Sequence, residues 1–257
     1  MQIIIPMSGE GSRFKAAGYQ TSKPLICVNG KPIIEYVVDL FPGDHEFLFI
    51  CREDHAAKYN LASYLPSLRN KVTVVTIEPH KLGPVYAVFQ AKSYIRHETP
   101  VLLSYCDYYM DWDFNAFIEQ VTHNKEDGSV ICYTGFHPHL LHAKNVYAGC
   151  RVGANNDLLE IREKYSFEQD KMKGHHSVGA YYFKSGQLME EYFICAIKKN
   201  ITLNSEFYVS MVYNLLLQDG LKINVYDGVQ HFCQWGTPED LEEFLYWSDI
   251  FVKHKYK

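Results

Sequence analysis

The 257-residue sequence contains no apolar run near the roughly 20 residues that span a bilayer, so no membrane partner is expected. It contains no CxxC pair. Its seven cysteines, Cys27, Cys51, Cys106, Cys132, Cys150, Cys195 and Cys233, stand singly and are odd in number. That excludes a disulfide framework or zinc knuckle and predicts free thiols in a reducing cytoplasm. Positive charge is not in excess: 25 Lys and Arg face 30 Asp and Glu, a formal net charge of −5, which removes nucleic acid as an expected partner. Repeats, low-complexity tracts and linkers are absent, and the start, Met1 to Pro6, lacks the basic residues of a signal peptide. Neither GxxxxGK[ST] nor GxGxxG occurs, because Phe14 stands where the third glycine of the latter would be.

What is present is 47% hydrophobic residues, enough to cover both faces of a sheet. In the first half, apolar strands alternate with helical patterns. Gln2 to Pro6, His45 to Cys51, Val72 to Ile77 and Pro100 to Ser104 read as buried strands. The stretch after Lys31-Pro32, with Ile33, Ile34, Val37, Val38 and Phe41 on one face, reads as a helix. So do Ala56 to Leu65 and Val85 to Ile95. Strand and helix in repetition predict a mostly parallel, Rossmann-like α/β sheet with helices on both faces. The second half is richer in strands, at 129–136, 146–152, 158–163 and 176–183, with helices at 205–218 and 238–252. These strands predict a smaller antiparallel extension beside the first sheet. One domain over 1–257 is expected, with a first half to about residue 125 and a second half from about 126.

Directly after the first strand comes Met7-Ser8-Gly9-Glu10-Gly11-Ser12-Arg13. Glycines let backbone N–H groups approach phosphate oxygens closely. Arg13 and Lys23 add the positive charge that a triphosphate requires and that stabilises a pentavalent transition state. By itself, a loop with two glycines is equally a plain turn beside a surface arginine.

The wider segment PMSGEGSRFKAAGYQTSKPLICVNGKPIIEYVVDLF decides more. It resembles the signature of the sugar-phosphate nucleotidyltransferases: a glycine-rich loop ending in Gly-Ser/Thr-Arg, then Lys-Pro-Leu, then Gly-Lys-Pro-Ile. Gly9, Gly11, Ser12, Arg13, Lys23, Pro24, Leu25, Gly30, Lys31, Pro32 and Ile33 carry the match, and Ser8 stands where many relatives have glycine. The resemblance implies a Rossmann-like domain with a smaller β subregion for substrate. It also implies transfer of a nucleoside monophosphate from an NTP to a sugar 1-phosphate, with pyrophosphate released. The product would be an activated sugar of the kind used for surface polysaccharide. Arg13 and Lys23 would hold the phosphates, and Met7 to Ser12 would line the nucleotide.

Three further segments extend it. Glu78-Pro79-His80-Lys81-Leu82-Gly83 resembles the segment that meets the base, with Leu82 and Gly83 matching and Glu78 where relatives have Gln. A carboxylate only accepts hydrogen bonds, which suits the exocyclic amine of cytosine or the N1–H and N2 edge of guanine and leans to CTP or GTP. A surface glutamate at a strand end fits the same position. Asp107, just past the fourth strand, matches the family's metal position and is suited to Mg²⁺, which takes one or two carboxylates plus phosphates. Cys106 replaces the usual glycine there. Gln234, before Gly236-Thr237-Pro238, stands where an Asp is often the second metal contact, and its neutrality lowers the charge of the site. Glu163-Lys164 resembles the pair that meets the sugar hydroxyl and the substrate phosphate. Ser177 and Gly179 lie where relatives close the sugar pocket with Asn-x-Gly, and Glu206 with Tyr208 also faces the substrate in this reading.

Glu78 and Ser177 also fit a cytidylyltransferase for a non-sugar, phosphocholine-like acceptor. Gln234 and Ser177 fit a nucleotide-binding relative without turnover. Asp111-Trp112-Asp113 has the Asp-x-Asp spacing of a glycosyltransferase, although a cap on a helix starting near Asp113 explains it as well. His137, His139 and His142, with His175, His176, His231 and His254, invite a zinc site, but a surface or loop role is the expectation for them. The sequence leaves a monomer and a homo-oligomer both open.

Overall fold

The structure, a computed structural model, describes residues 1–143 and 145–254. The first half runs β1 (Gln2–Met7), α1 (Ser12–Ala16), a short hairpin of β2 (Cys27–Val28) and β3 (Lys31–Pro32), α2 (Ile33–Asp39), β4 (Glu46–Arg52), α3 (Glu53–Lys58), α4 (Leu61–Tyr64), β5 (Val72–Ile77), α5 (Pro84–Gln90), β6 (Val101–Ser104), β7 (Tyr108–Asp111) and α6 (Phe114–His123). The second half runs β8 (Gly128–Tyr133), β9 (Gly149–Val152), β10 (Leu158–Arg162), β11 (His175–Phe183), α7 (Gly186–Lys198), α8 (Val209–Gln218), β12 (Ile223–Tyr226), β13 (His231–Gln234) and α9 (Pro238–His254). None of the described helices is long and apolar enough to cross a membrane.

β1 is buried along its whole length, so it reads as an unbroken apolar run rather than an alternation. Ile3, Ile5 and Met7 enter the core on one face, and Ile4 enters the core on the other. β4 and β6 flank β1 in parallel, and β5 follows β4. On the far side β11 pairs antiparallel with β6, and β8, β9, β10 and β12 join through it. The strands expected as an antiparallel extension join the first sheet through β11, giving one nine-stranded mixed sheet. Two antiparallel pairs stand apart from it, β2 with β3 and β7 with β13.

Several boundaries differ from the sequence reading for local reasons. The helix expected over 56–65 is two helices, separated by Asn60 in the left-handed region at φ 50°. The helix expected from Ser205 starts at Val209, because Ser205 has φ 64° and a turn closes between Leu203 and Glu206. The strands expected at 129–136 and 146–152 stop and start short, and a 3₁₀ turn with loops occupies the interval.

The histidines give the main correction. His137, His139 and His176 are buried rather than at the surface. They pack with Tyr133, Tyr147 and Phe232, and Tyr133 stacks on Phe232 at 4.5 Å. His139 Nε2 and the Tyr133 hydroxyl lie 2.8 Å apart, and the Phe232 backbone N–H donates to His137 Nε2 at 3.2 Å. His231 is exposed, and the His254 side chain lies outside the described residues. Among the described residues no three His, Cys, Asp or Glu converge as a metal-holding group.

Burial pushes the His139 pKa down to about 3, and neighbouring histidines add to it. Burial also lowers His137 and His176. These rings fold neutral and protonate more readily when unfolded. Their stabilising effect is complete above the unfolded pKa near 6.5 and is lost as pH falls toward the folded values. Urea unfolding should therefore show stability falling by about 2–4 kcal/mol between pH 7 and pH 5. His139→Gln, which cannot titrate, should remove a measurable part of that slope. An unchanged slope would place the acid sensitivity elsewhere.

Candidate active site

β1 and β6 are adjacent and parallel, so their carboxyl ends open on the same edge of the sheet, where ligands gather in α/β folds. The loop after β1 carries Ser8 to Arg13, and the residues after β6 are Tyr105, Cys106 and Asp107. Between them lies a cavity of about 480 Å³. Met7, Ser8, Gly9, Glu10, Gly11, Ser12, Arg13, Lys23, Gly83, Asp107 and Glu206 all line it. His80, Lys81, Tyr105, Cys106, Tyr208 and Gly236 complete the wall.

The Lys23 ammonium donates to Asp107 Oδ2 at 2.7 Å. Lys23 arrives on a 3₁₀ turn, Lys23–Leu25, with proline at its second position. Burial opposes the lysine charge, but the Asp107 carboxylate, helped by Cys106, outweighs it and raises the pKa above its ordinary value. Burial pushes the Cys106 thiol up to about 12, so this cysteine is a packed thiol and not a nucleophile. Lys81 lies 3.3 Å from Glu10 across the mouth of the loop.

Gln234 reaches the site through β13. Its pairing with β7 sets Gln234 opposite Tyr108, and the Trp235 N–H donates to the Asp107 carbonyl at 3.0 Å. Gly236 follows. A Cβ on it would sit 2.6 Å from Gln234 Nε2 and 2.8 Å from Asp107 Oδ2, so the absence of a side chain is what lets these groups close on one point. The Asp107 carboxylate is a hard-oxygen donor that already attracts a cation in the form of Lys23, and the Gln234 amide stands beside it with Nε2 as the end nearest this point. These residues fit Mg²⁺, which takes few protein ligands and completes its shell with phosphate and water.

Beside the cavity, Lys164 donates to the Tyr208 hydroxyl at 3.0 Å. Glu163 accepts from the Ser210 hydroxyl at 2.6 Å. Burial raises the Glu163 pKa, the Ser210 and Lys164 contacts oppose it, and Glu206 adds to it. Gly179, at φ 90°, forms the bulge of β11. It accepts from the Tyr105 N–H at 2.9 Å, and a Cβ there would lie 2.8 Å from the Tyr105 ring.

Of the expected residues, Glu78, Leu82, Glu163, Lys164, Ser177, Gly179 and Gln234 do not line the cavity. Glu78 is exposed and outside the cavity wall, because the chain turns after β5 and presents His80 and Lys81 instead. Ser177 is buried in β11, where its hydroxyl accepts from the Gly179 N–H at 3.1 Å, so it shapes the bulge. Leu82 packs toward the core behind Gly83. The Asp-x-Asp reading also lapses. Asp113 caps α6 by accepting from the Ala116 N–H at 3.0 Å, and Asp111 is exposed outside the cavity. His80 and Tyr105 were not singled out from sequence. Their signal is only position: one lies between two motif residues, the other two residues before Asp107.

The model of the MobA-like NTP transferase domain matches residues 3–165, more than half of the chain. The chain belongs to that family. It is a nucleotidyltransferase. It is similar in fold to the nucleoside-diphosphate-sugar pyrophosphorylase from Vibrio cholerae RC9, with a TM-score of 0.73 at 21% identity, covering 95% of this chain and 99% of that one. It is equally similar to the inositol-1-phosphate CTP transferase from T. maritima, with a TM-score of 0.73 at 16% identity, covering 98% and 96%. No curated protein matches the sequence.

The nucleotidyltransferase site depends on Gly236 in a way that separates function from stability. In Gly236→Ala the atoms met first belong to the ends of Gln234 and Asp107, which move at small cost. Thermal unfolding should shift by no more than a few degrees, while nucleotidyl transfer falls at least tenfold. Full activity in this variant would mean that the two side chains need not close together.

Proposed function

We propose that the protein transfers a nucleoside monophosphate from an NTP to a sugar 1-phosphate and releases pyrophosphate. The observation carrying this reading is the Lys23–Asp107 contact of 2.7 Å, set in one cavity with Arg13 and the glycine loop. An oxygen of the acceptor phosphate attacks the α-phosphorus. The new P–O bond forms as the bond to the β-phosphate oxygen breaks, and the electron pair leaves on pyrophosphate. The acceptor phosphate is ionised at neutral pH, so no residue has to remove a proton from it. Arg13 and Lys23 neutralise the charge that grows on the leaving group, and the loop from Ser8 to Ser12 fixes the triphosphate by backbone contacts. Asp107, with Gln234 alongside, would hold Mg²⁺, which when bound would supply further neutralisation of phosphate charge.

The first half, to about residue 125, holds the nucleotide in this reading. The second half holds the acceptor through Lys164, Glu206 and Tyr208, with Glu163 and Gly179 behind them. The carboxylates Glu163 and Glu206 outnumber Lys164 at that end, which favours a second reading. In it the acceptor phosphate carries a cationic amine, as in phosphocholine-like compounds, and the donor is CTP.

Pyrophosphate release measured with four NTPs against sugar 1-phosphates and phosphocholine separates the two readings. Asp107→Asn keeps the shape of the side chain and removes its charge, and it should lower turnover at least 100-fold with an unchanged circular dichroism spectrum. Turnover near that of the unaltered protein would refute the role given to Asp107.

A further inference from the structure

The last helix presents apolar surface to water. Phe244 and Leu245 of α9 pack on the core, as the inward side of an amphipathic helix should. Its outward side is apolar as well, with Tyr246, Trp247, Phe251 and Val252 exposed. Trp247 and Phe251, four residues apart, form one ridge with their rings 6.3 Å apart, and Tyr246 stands edge-on to Trp247 at 5.5 Å. The ridge borders a groove of about 570 Å³ whose other wall carries Phe136, from the turn after β8, and which reaches Phe232 and Gln234 of β13. Phe136 and the four exposed residues of α9 are between 49% and 69% exposed. With about 150–250 Å² for a whole aromatic side chain, they leave roughly 500 Å² of apolar surface in water. Single apolar side chains are ordinary on a surface, but a contiguous patch of this size marks a contact site.

We propose that this surface binds a second copy of the chain, with the α9 helices of the two copies antiparallel across a two-fold axis. Shape, area and charge each select that occupant. A two-fold contact joins a patch to itself, so the patch must hold both a ridge and a groove, and Trp247 and Phe251 stand beside such a groove. A stable interface takes about 800 Å² from each partner; the apolar patch supplies more than half of that, and the charged rim of α9 lies around it. The charges are divided along the helix. Glu239, Glu242 and Glu243 are exposed in its first two turns and Lys253 in its last, and the sequence goes on with Lys255 and Lys257. Antiparallel pairing brings the acidic start of each helix to the basic end of the other, whereas parallel pairing would set like charges together. The acidic rim is also the wrong sign for an anionic lipid surface.

Sedimentation velocity of the full chain across a hundredfold range of micromolar concentration tests it. The unaltered protein should reach twice the single-chain mass of 29.8 kDa. Trp247→Glu combined with Phe251→Glu should leave only the single-chain mass, with an unchanged circular dichroism spectrum because both side chains are exposed. Phe136→Glu, on the other wall of the groove, should do the same independently of the helix. Lys253→Glu should weaken the dimer at least tenfold. A single-chain mass at every concentration would overturn the proposal, as would a dimer that survives both the helix variant and Phe136→Glu, since the contact would then lie elsewhere. Pelleting of a single-chain form with phosphatidylcholine vesicles would also overturn it and give the patch to a lipid surface.

Discussion

The contact between Lys23 and Asp107 closes the site. Lys23 belongs to the turn after the glycine loop and Asp107 to the turn after β6, and their ion pair draws together two segments 84 residues apart in sequence. Both groups are largely withdrawn from water, so neither tolerates being left alone. Were a divalent cation to take the carboxylate, the lysine would be released toward an anionic phosphate, and neither charge would be left without a partner.

Around this pair the chain spends its least permissive packing. β7 and β13 form a ribbon apart from the main sheet, and its register sets Gln234 against the strand that starts beside Asp107. Trp235, next along, is fully buried, stacked on Tyr109 at 6.1 Å and edge-on to Tyr36 at 5.1 Å. An indole so enclosed cannot shift without disturbing α2 and β7 together. The position of Gly236 follows from that rigidity, and with it the spacing between an amide and a carboxylate that lie far apart in sequence. Rigid neighbours are what allow a site built on loops to hold its geometry.

The first half of the fold was legible because its signals are local. A strand covered on both faces reads as an apolar run, as Ile3 to Ile5 and Phe47 to Cys51 do, and the helix following Pro32 places Ile33, Ile34, Val37 and Val38 on one side. The glycine loop, Lys23 and Asp107 were found because their order along the chain carries the pattern. Direction was not legible. Glu78 and Ser177 occupy positions where relatives place functional groups, but the turn after β5 aims Glu78 outward and the bulge at Gly179 employs Ser177 internally. The histidine spacing suggested a surface or loop role, since nothing in the sequence places the rings on one face. The cover is Phe232, which lies 95 residues beyond His137. The β7–β13 pairing was missed for the same reason: four-residue strands give no period long enough to read.

The same distant contacts give the cavity a polarity. Its phosphate end, with Arg13 and Lys23 against a single Asp107, favours negative charge. At the far end Glu206 stands in the wall, Glu163 lies behind it, and Lys164 is tied to the Tyr208 hydroxyl. Burial raises the pKa of Glu163, and the charge of Glu206 adds to it, so this end disfavours a further negative charge. A molecule that carries phosphate at one end and several O–H or N–H groups at the other satisfies both ends at once, and inorganic phosphate satisfies only the first. This division of charge follows the chain: the carboxylate end is built by the segments that follow β10 and precede α8, in the second half, and the cationic end by the segments that follow β1.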